Sequence, residues 1–208
     1  MELPNPLRAA EGHAVQFYER EEFLRRELAG FVALGLRQDE AVIVIATHVH
    51  LANLRGSLQA AGLEPETAAT PGRLLCLDAD ETLQLIMVDG QPDPLAFEHH
   101  VTQVVHRAGS GGRRVRAFGE MVAVLLAAGR IDATLQLESL WNQLIDRVPI
   151  DLLCAYPLRA FRSCDESVFV SVCKAHSKVV PAESYPGPID DEERAWEVSL
   201  SQLRALRG

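Results

Sequence analysis

Seven consecutive residues, Ala41-Val42-Ile43-Val44-Ile45-Ala46-Thr47, restrict the fold more than any other stretch of the chain. Asp39 and Glu40 stand just before them, and a helical pattern follows. A strand with one wet face alternates polar and apolar side chains. This run does not, so it reads as a parallel strand covered on both faces. A buried helix is the competing reading, but the run is too short and too rich in β-branched residues to favour it. The junction after Thr47 is of the kind at which open α/β sheets place their ligands.

The rest of the chain fits around that strand. Gly12 to Glu19 predicts a first strand, and Glu19, Glu21 and Glu22 open a helix with its apolar face at Leu24, Leu28, Phe31, Val32 and Gly35. Gly35-Leu36 reads as a left-handed helix stop. After the central strand, a helix carrying Leu51, Leu54 and Leu58 stops at Gly62, and Pro71-Gly72 marks a turn. Arg73 to Leu77 is a third strand. Asp78 and Glu81 resemble a capping box for a short helix to Val88, broken at Asp89-Gly90. Asp93-Pro94 starts a helix with a stripe from Phe97 to Ala108. Val115 to Gly119 is a fourth strand, followed by an apolar helix to Ala128. Leu135 to Val148 is helical, Ile150 to Tyr156 is a fifth strand, and Ser163 with Glu166 caps the next helix. Strands alternating with helices predict a doubly wound, mainly parallel α/β sheet.

The expected organisation is a tail at 1–11, one domain at 12–180, a proline-rich linker at 181–188 and a C-terminal helix at 189–208. Ile189, Trp196 and Leu203 are seven apart, which fits a short coiled-coil seam and hence a homodimer. A helix packed back on its own domain fits equally well.

Of 208 residues, 48% are hydrophobic, enough for a sizeable core. The longest apolar run, Met121 to Ala128, falls far short of the roughly 18 residues of a membrane helix, and no signal region opens the chain. A cytoplasmic location without membrane attachment is the expectation. The net charge of -9 disfavours direct nucleic-acid binding. The four cysteines show no CxxC pairing, and Cys76 and Cys154 sit in apolar strand-like runs as small hydrophobes.

The predicted carboxyl edge of the sheet collects Tyr18, Glu19, Thr47, His48, Asp78, Glu120, Met121, Tyr156 and Pro157, a rim suited to a small organic molecule or a partner surface. A phosphate loop needs glycines and a lysine after the first strand. This chain has Tyr18-Glu19-Arg20-Glu21-Glu22 there, and its only lysines are Lys174 and Lys178. Phosphate-loop ATP hydrolysis is thereby set aside. Glu120 reads either as a polar group in a pocket or as a helix cap or partner of Arg116. His48-Val-His50 and His99-His100 diverge on their helices. Cys173 and His176 share a face but lack a third ligand of convincing spacing, so no metal site is expected. His13 can reach a pocket or serve as a structural histidine. Trp141 reads as core, and Asn142 as a hydrogen-bonding partner for a loop.

Several stretches together resemble a known family: His13-Ala-Val-Gln16-Phe-Tyr-Glu19; Gly35-Leu-x-x-x-Glu40 leading into Thr47; Arg116-Ala-Phe-Gly-Glu-Met121; Leu140-Trp-Asn142; and Leu153-Cys-Ala-Tyr-Pro157. They look like the MEDS domain, a sensory domain named for methanogens, methylotrophs and the dichloromethane-responsive repressor. The resemblance covers residues 12 to 162, and the segment from Cys173 to Tyr185 resembles the tail of such domains. It implies a relative of RecA/KaiC-type ATPases without the phosphate loop, and a sensor of small hydrocarbon derivatives tied to a histidine kinase or a transcription regulator. No kinase region is recognisable, and too few residues precede the domain for a helix-turn-helix, so the expectation is that the output partner is missing from this chain or that the protein acts on one in trans. The candidate ligand-contacting set is His13, Gln16, Tyr18, Glu19, Thr47, Glu120, Met121, Trp141, Asn142 and Tyr156. No catalytic residue and no cofactor is expected. A ligand-free interaction module and a residual nucleotide binder are the alternatives.

Overall fold

In a computed structural model, residues 12–63, 73–185 and 191–208 are described. The tail at 1–11, the Pro71-Gly72 turn, Ile189 and the latter half of the expected linker lie outside them.

The apolar run after Asp39 and Glu40 is a strand, β2 (Ala41–Ala46), buried at every position. It lies inside a six-stranded sheet with β1 (His13–Tyr18), β3 (Leu74–Asp78), β6 (Val115–Gly119), β7 (Ile150–Pro157) and β8 (Lys178–Val180). The order is β3-β2-β6-β7-β1-β8, and every pairing is parallel. Covering both faces of a parallel sheet requires helices on both sides. α1 (Glu21–Arg37) and α2 (His48–Ala60) cover one face, where Leu24, Leu28, Phe31, Leu54 and Leu58 pack on Val42, Val44, Phe118 and Leu153. The other face carries α3 (Ala79–Ile86), α4 (Pro94–Phe97), α5 (Gln103–Ala108), α6 (Met121–Ala127), α7 (Ile131–Ile145) and α8 (Glu166–Lys174), and α9 (Glu192–Arg207) joins its core. The doubly wound architecture is the one that the sequence predicts.

Several local expectations change. β8 is an additional strand, added parallel to β1 through Ala14, Val15 and Gln16. Asp89-Gly90 does more than break a helix: both residues have positive φ, and the turn closes a two-stranded hairpin of β4 (Met87–Val88) and β5 (Gln91–Pro92). The stripe from Phe97 to Ala108 passes through a π-helical turn at Glu98–Thr102 between α4 and α5. Asp78 caps α3 by accepting from the N–H groups of Asp80 and Glu81. Ser163 is not the cap of α8; Asp165 holds that position.

Gly35 is not a helix stop. α1 continues to Arg37, and the residue with positive φ beyond it is Asp39. Gly35 is small for another reason: a Cβ there would lie 2.7 Å from Val42 Cγ2 and 2.9 Å from Arg116 Cδ. That close approach seats α1 on β2 and β6. Arg116 fills the same layer, with its Nε donating to Glu40 at 2.5 Å and its guanidinium 4.8 Å above the Phe31 ring. Two of the family-like stretches, Gly35 to Glu40 and Arg116 to Met121, thus meet in one buried contact.

α9 packs on its own domain. Ala195, Ser199 and Leu203, spaced four apart, are buried. Gln202 bonds the backbone of Ala182 in both directions, Arg207 donates to the carbonyls of Phe161 and Cys164, and Arg204 pairs with Glu166. The expected seam is therefore spent in cis at Leu203, and Trp196 rests against the same core. The first part of the expected linker is also docked, as described next.

Candidate functional site

The carboxyl ends of β1 and β2 each present backbone N–H groups where a helix begins, a natural seat for an anion. Both seats hold carboxylates of the chain itself. After β1, the N–H groups of Glu19 and Arg20 donate to the two oxygens of Glu183, at 3.1 and 2.9 Å. After β2, the Thr47 N–H donates to Glu120 Oε2 at 2.9 Å. Glu120 Oε1 lies 2.7 Å from His50 Nδ1, and His50 Nε2 lies 2.9 Å from Glu21, which Arg159 also contacts. The bond to Glu120 raises the His50 pKa above its ordinary value. Burial, reinforced by Glu21 and Glu120, pushes the Tyr18 phenol upward. Glu120 thus holds the N-cap position of α6, as expected, but its side chain bonds the start of the neighbouring helix α2 and not the N–H groups of α6. Arg116, its other expected partner, turns to Glu40 instead.

Tyr18 and Tyr156 do not share a pocket. β1 and β7 register Phe17 with Tyr156 and Tyr18 with Pro157. Side chains alternate along a strand, so Tyr156 sits on the Phe17 face and Tyr18 on the α1–α2 face. Both rings are fully packed. Met121 and Trp141 are core residues, with the indole edge-on to Phe97 at 5.2 Å. The Gln16 amide donates to the carbonyls of Phe17 and Pro181, tying β1 to the segment after β8.

His13, Asn142 and Tyr156 do come together, around a residue that the sequence reading passes over. Glu138, on the inner face of α7, is 1% exposed. Tyr156 donates to its Oε1 at 2.5 Å. Its Oε2 lies 3.4 Å from His13 Nε2 and 3.8 Å from Cys154 Sγ. His176 Nε2 stands 3.6 Å from Oε1. Burial pushes the Glu138 carboxyl up to about 8 and the Cys154 thiol well above its usual value. Burial also lowers His13 to about 4 and His176 well below the usual imidazole range. Cys154 is buried in the core as the sequence suggests, with its thiol beside Glu138, and His176 faces the same carboxylate. Cys173, its expected face-mate, has its thiol pushed up to about 12 by burial.

Beside His176, α8 and α9 leave a groove of about 480 Å³. Phe169, Val170, Cys173, Trp196 and Leu200 give it apolar walls, and Glu192, Glu193 and Glu197 give it acidic ones.

The model of one protein family, described as the methanogen/methylotroph, DcmR sensory domain (MEDS), matches residues 12–177. The chain belongs to the MEDS family. The match extends past the motif-bearing stretches and takes in Glu138 and His176, so the whole buried cluster lies inside the MEDS domain. No curated protein matches the chain. Membership makes this a sensory domain, and among the described residues no helix is long and apolar enough to cross a membrane.

Proposed function

We propose that this MEDS domain is a non-enzymatic sensor that binds a small organic molecule and relays its presence to a kinase or transcription-regulatory partner. One observation carries the reading: both anion seats at the strand ends, on Glu19/Arg20 and on Thr47, are filled by internal carboxylates. A phosphate placed there would meet negative charge, which repels it. Recognition without phosphate chemistry is what remains for such a scaffold.

The groove between α8 and α9 supplies a place for the ligand. Its apolar walls suit a small hydrocarbon derivative, and its three glutamates favour neutral or cationic compounds over anions. α9 forms one wall, so occupancy can be passed to a partner through the same helix.

Titration calorimetry of the full chain with small alcohols, methylated amines and halogenated alkanes tests this. Binding is expected, weakened about tenfold or more by Trp196→Ala or Phe169→Ala, consistent with losing one buried aromatic wall. Mg²⁺-ATP is expected to give no heat. A panel without any binder, together with self-association, would favour a ligand-free interaction module.

A further inference from the structure

We infer that His13, Glu138, Cys154 and His176 form a closed, four-ligand site for a divalent transition metal of the Zn²⁺ class. The inference goes beyond the sensory reading and does not depend on it.

The donor atoms of the four residues all lie within 4.8 Å of one another, and all four residues are buried. A tetrahedral centre with bonds of about 2.0–2.3 Å has ligand–ligand edges of about 3.3–3.8 Å. Three separations between donor atoms fall in that interval: 3.4 Å from His13 Nε2 to Cys154 Sγ, 3.4 Å from His13 Nε2 to Glu138 Oε2, and 3.8 Å from Cys154 Sγ to Glu138 Oε2. His176 Nε2 stands 3.6 Å from the other oxygen of the same carboxylate. The widest pair need close by only about 1 Å to complete the tetrahedron.

The hydrogen bonds around the cluster set the ligand atoms. His176 Nδ1 lies 2.7 Å from the Val172 carbonyl, which can only accept, so Nδ1 carries the proton and Nε2 a free lone pair. The Asn142 amide donates to the Ala175 carbonyl, turning its Oδ1 toward His13 Nδ1 at 2.9 Å. His13 Nδ1 therefore also holds the proton, and its Nε2 faces inward. Tyr156 anchors the outer oxygen of Glu138. These are the outer contacts by which proteins orient metal ligands.

A hydrogen-bonded cluster without a metal leaves one group unexplained. His176 Nε2 is buried, has no hydrogen-bond partner, and points at Glu138. A metal ion gives that lone pair a bond. Two neutral imidazoles, one thiolate and one carboxylate carry a charge of -2, which a divalent ion cancels inside the core. A nitrogen–sulfur–oxygen donor set excludes Ca²⁺ and Mg²⁺ and suits tetrahedral Zn²⁺ or Co²⁺. The groove that reaches His176 offers an entry path.

Zn²⁺ and Co²⁺ are the probes. The full chain, stripped with chelator under denaturing conditions and refolded with either ion, is expected to retain one equivalent after desalting. The Co²⁺ form should show the strong d–d absorption of a tetrahedral centre and a thiolate charge-transfer band. Cys154→Ser should keep the first and lose the second, and Glu138→Gln should weaken Co²⁺ binding by about tenfold or more. A refolded wild-type chain that retains well under one equivalent of both ions overturns the site, whatever the variants do. So does a charge-transfer band that persists in Cys154→Ser. Loss of organic-ligand binding in the groove with the metal retained would sink the sensory reading and leave this one intact.

Discussion

At the residue scale, the buried charges are arranged in pairs that serve packing. Arg116 is 5% exposed and Glu40 equally so, and the two make a 2.5 Å contact. Glu40→Ala removes the counter-charge and leaves a guanidinium in the core, which costs about 3–5 kcal/mol. Urea denaturation should show a large drop in midpoint; an unchanged midpoint would mean that the guanidinium finds water. His50 gives a pH signature. Its folded-state pKa lies above the ordinary 6.5 because it bonds Glu120. The stabilisation is therefore complete below about 6.5 and is lost as the pH rises through the raised folded value. The stability difference between wild type and His50→Gln, measured by denaturant titration across that window, should shrink with rising pH. A difference independent of pH would show that the imidazole is not charged in the fold.

At the element scale, the strands with long apolar runs are legible in the sequence because burial on both faces removes polar positions from them. β8 has only three residues and announces nothing. The cap at Asp78 and the start at Asp93 are legible because a short acid bonding backbone N–H groups is a local event. The candidate site was readable only in part. His13, Asn142 and Tyr156 fall within family-like stretches, but Glu138 is found only through its oddity, a carboxylate in the apolar stripe between Leu137 and Trp141. Its neighbours at 13, 154 and 176 come from distant elements, so no spacing links them. α9 was ambiguous because a stripe that fits a partner helix also fits the chain's own core. Leu203, 0% exposed, decides it. Leu203→Ala should destabilise the fold by about 2–5 kcal/mol while leaving the mass in light scattering unchanged. A change of mass without loss of stability would return the helix to an interface.

At the scale of the whole molecule, the strand order decides which elements stand beside the groove. β1 lies between β7 and β8, so the strand that carries His13 is held by the two segments on either side of α8. The groove, the Glu138 cluster and the docked stretch around Glu183 are all built on that one end of the sheet. The same arrangement has a consequence for synthesis. Among the described strands β1 comes earliest in the chain, yet His13 pairs with Leu152 and Ala14 with Lys178. Local pairs such as β2 with β3 can form early, while β1 waits for its partners β7 and β8. Such distant pairing slows folding. Nascent chains stalled before residue 150 should remain sensitive to protease across His13–Tyr18, and protection at that stage would show that the strand has found some other shelter while it waits.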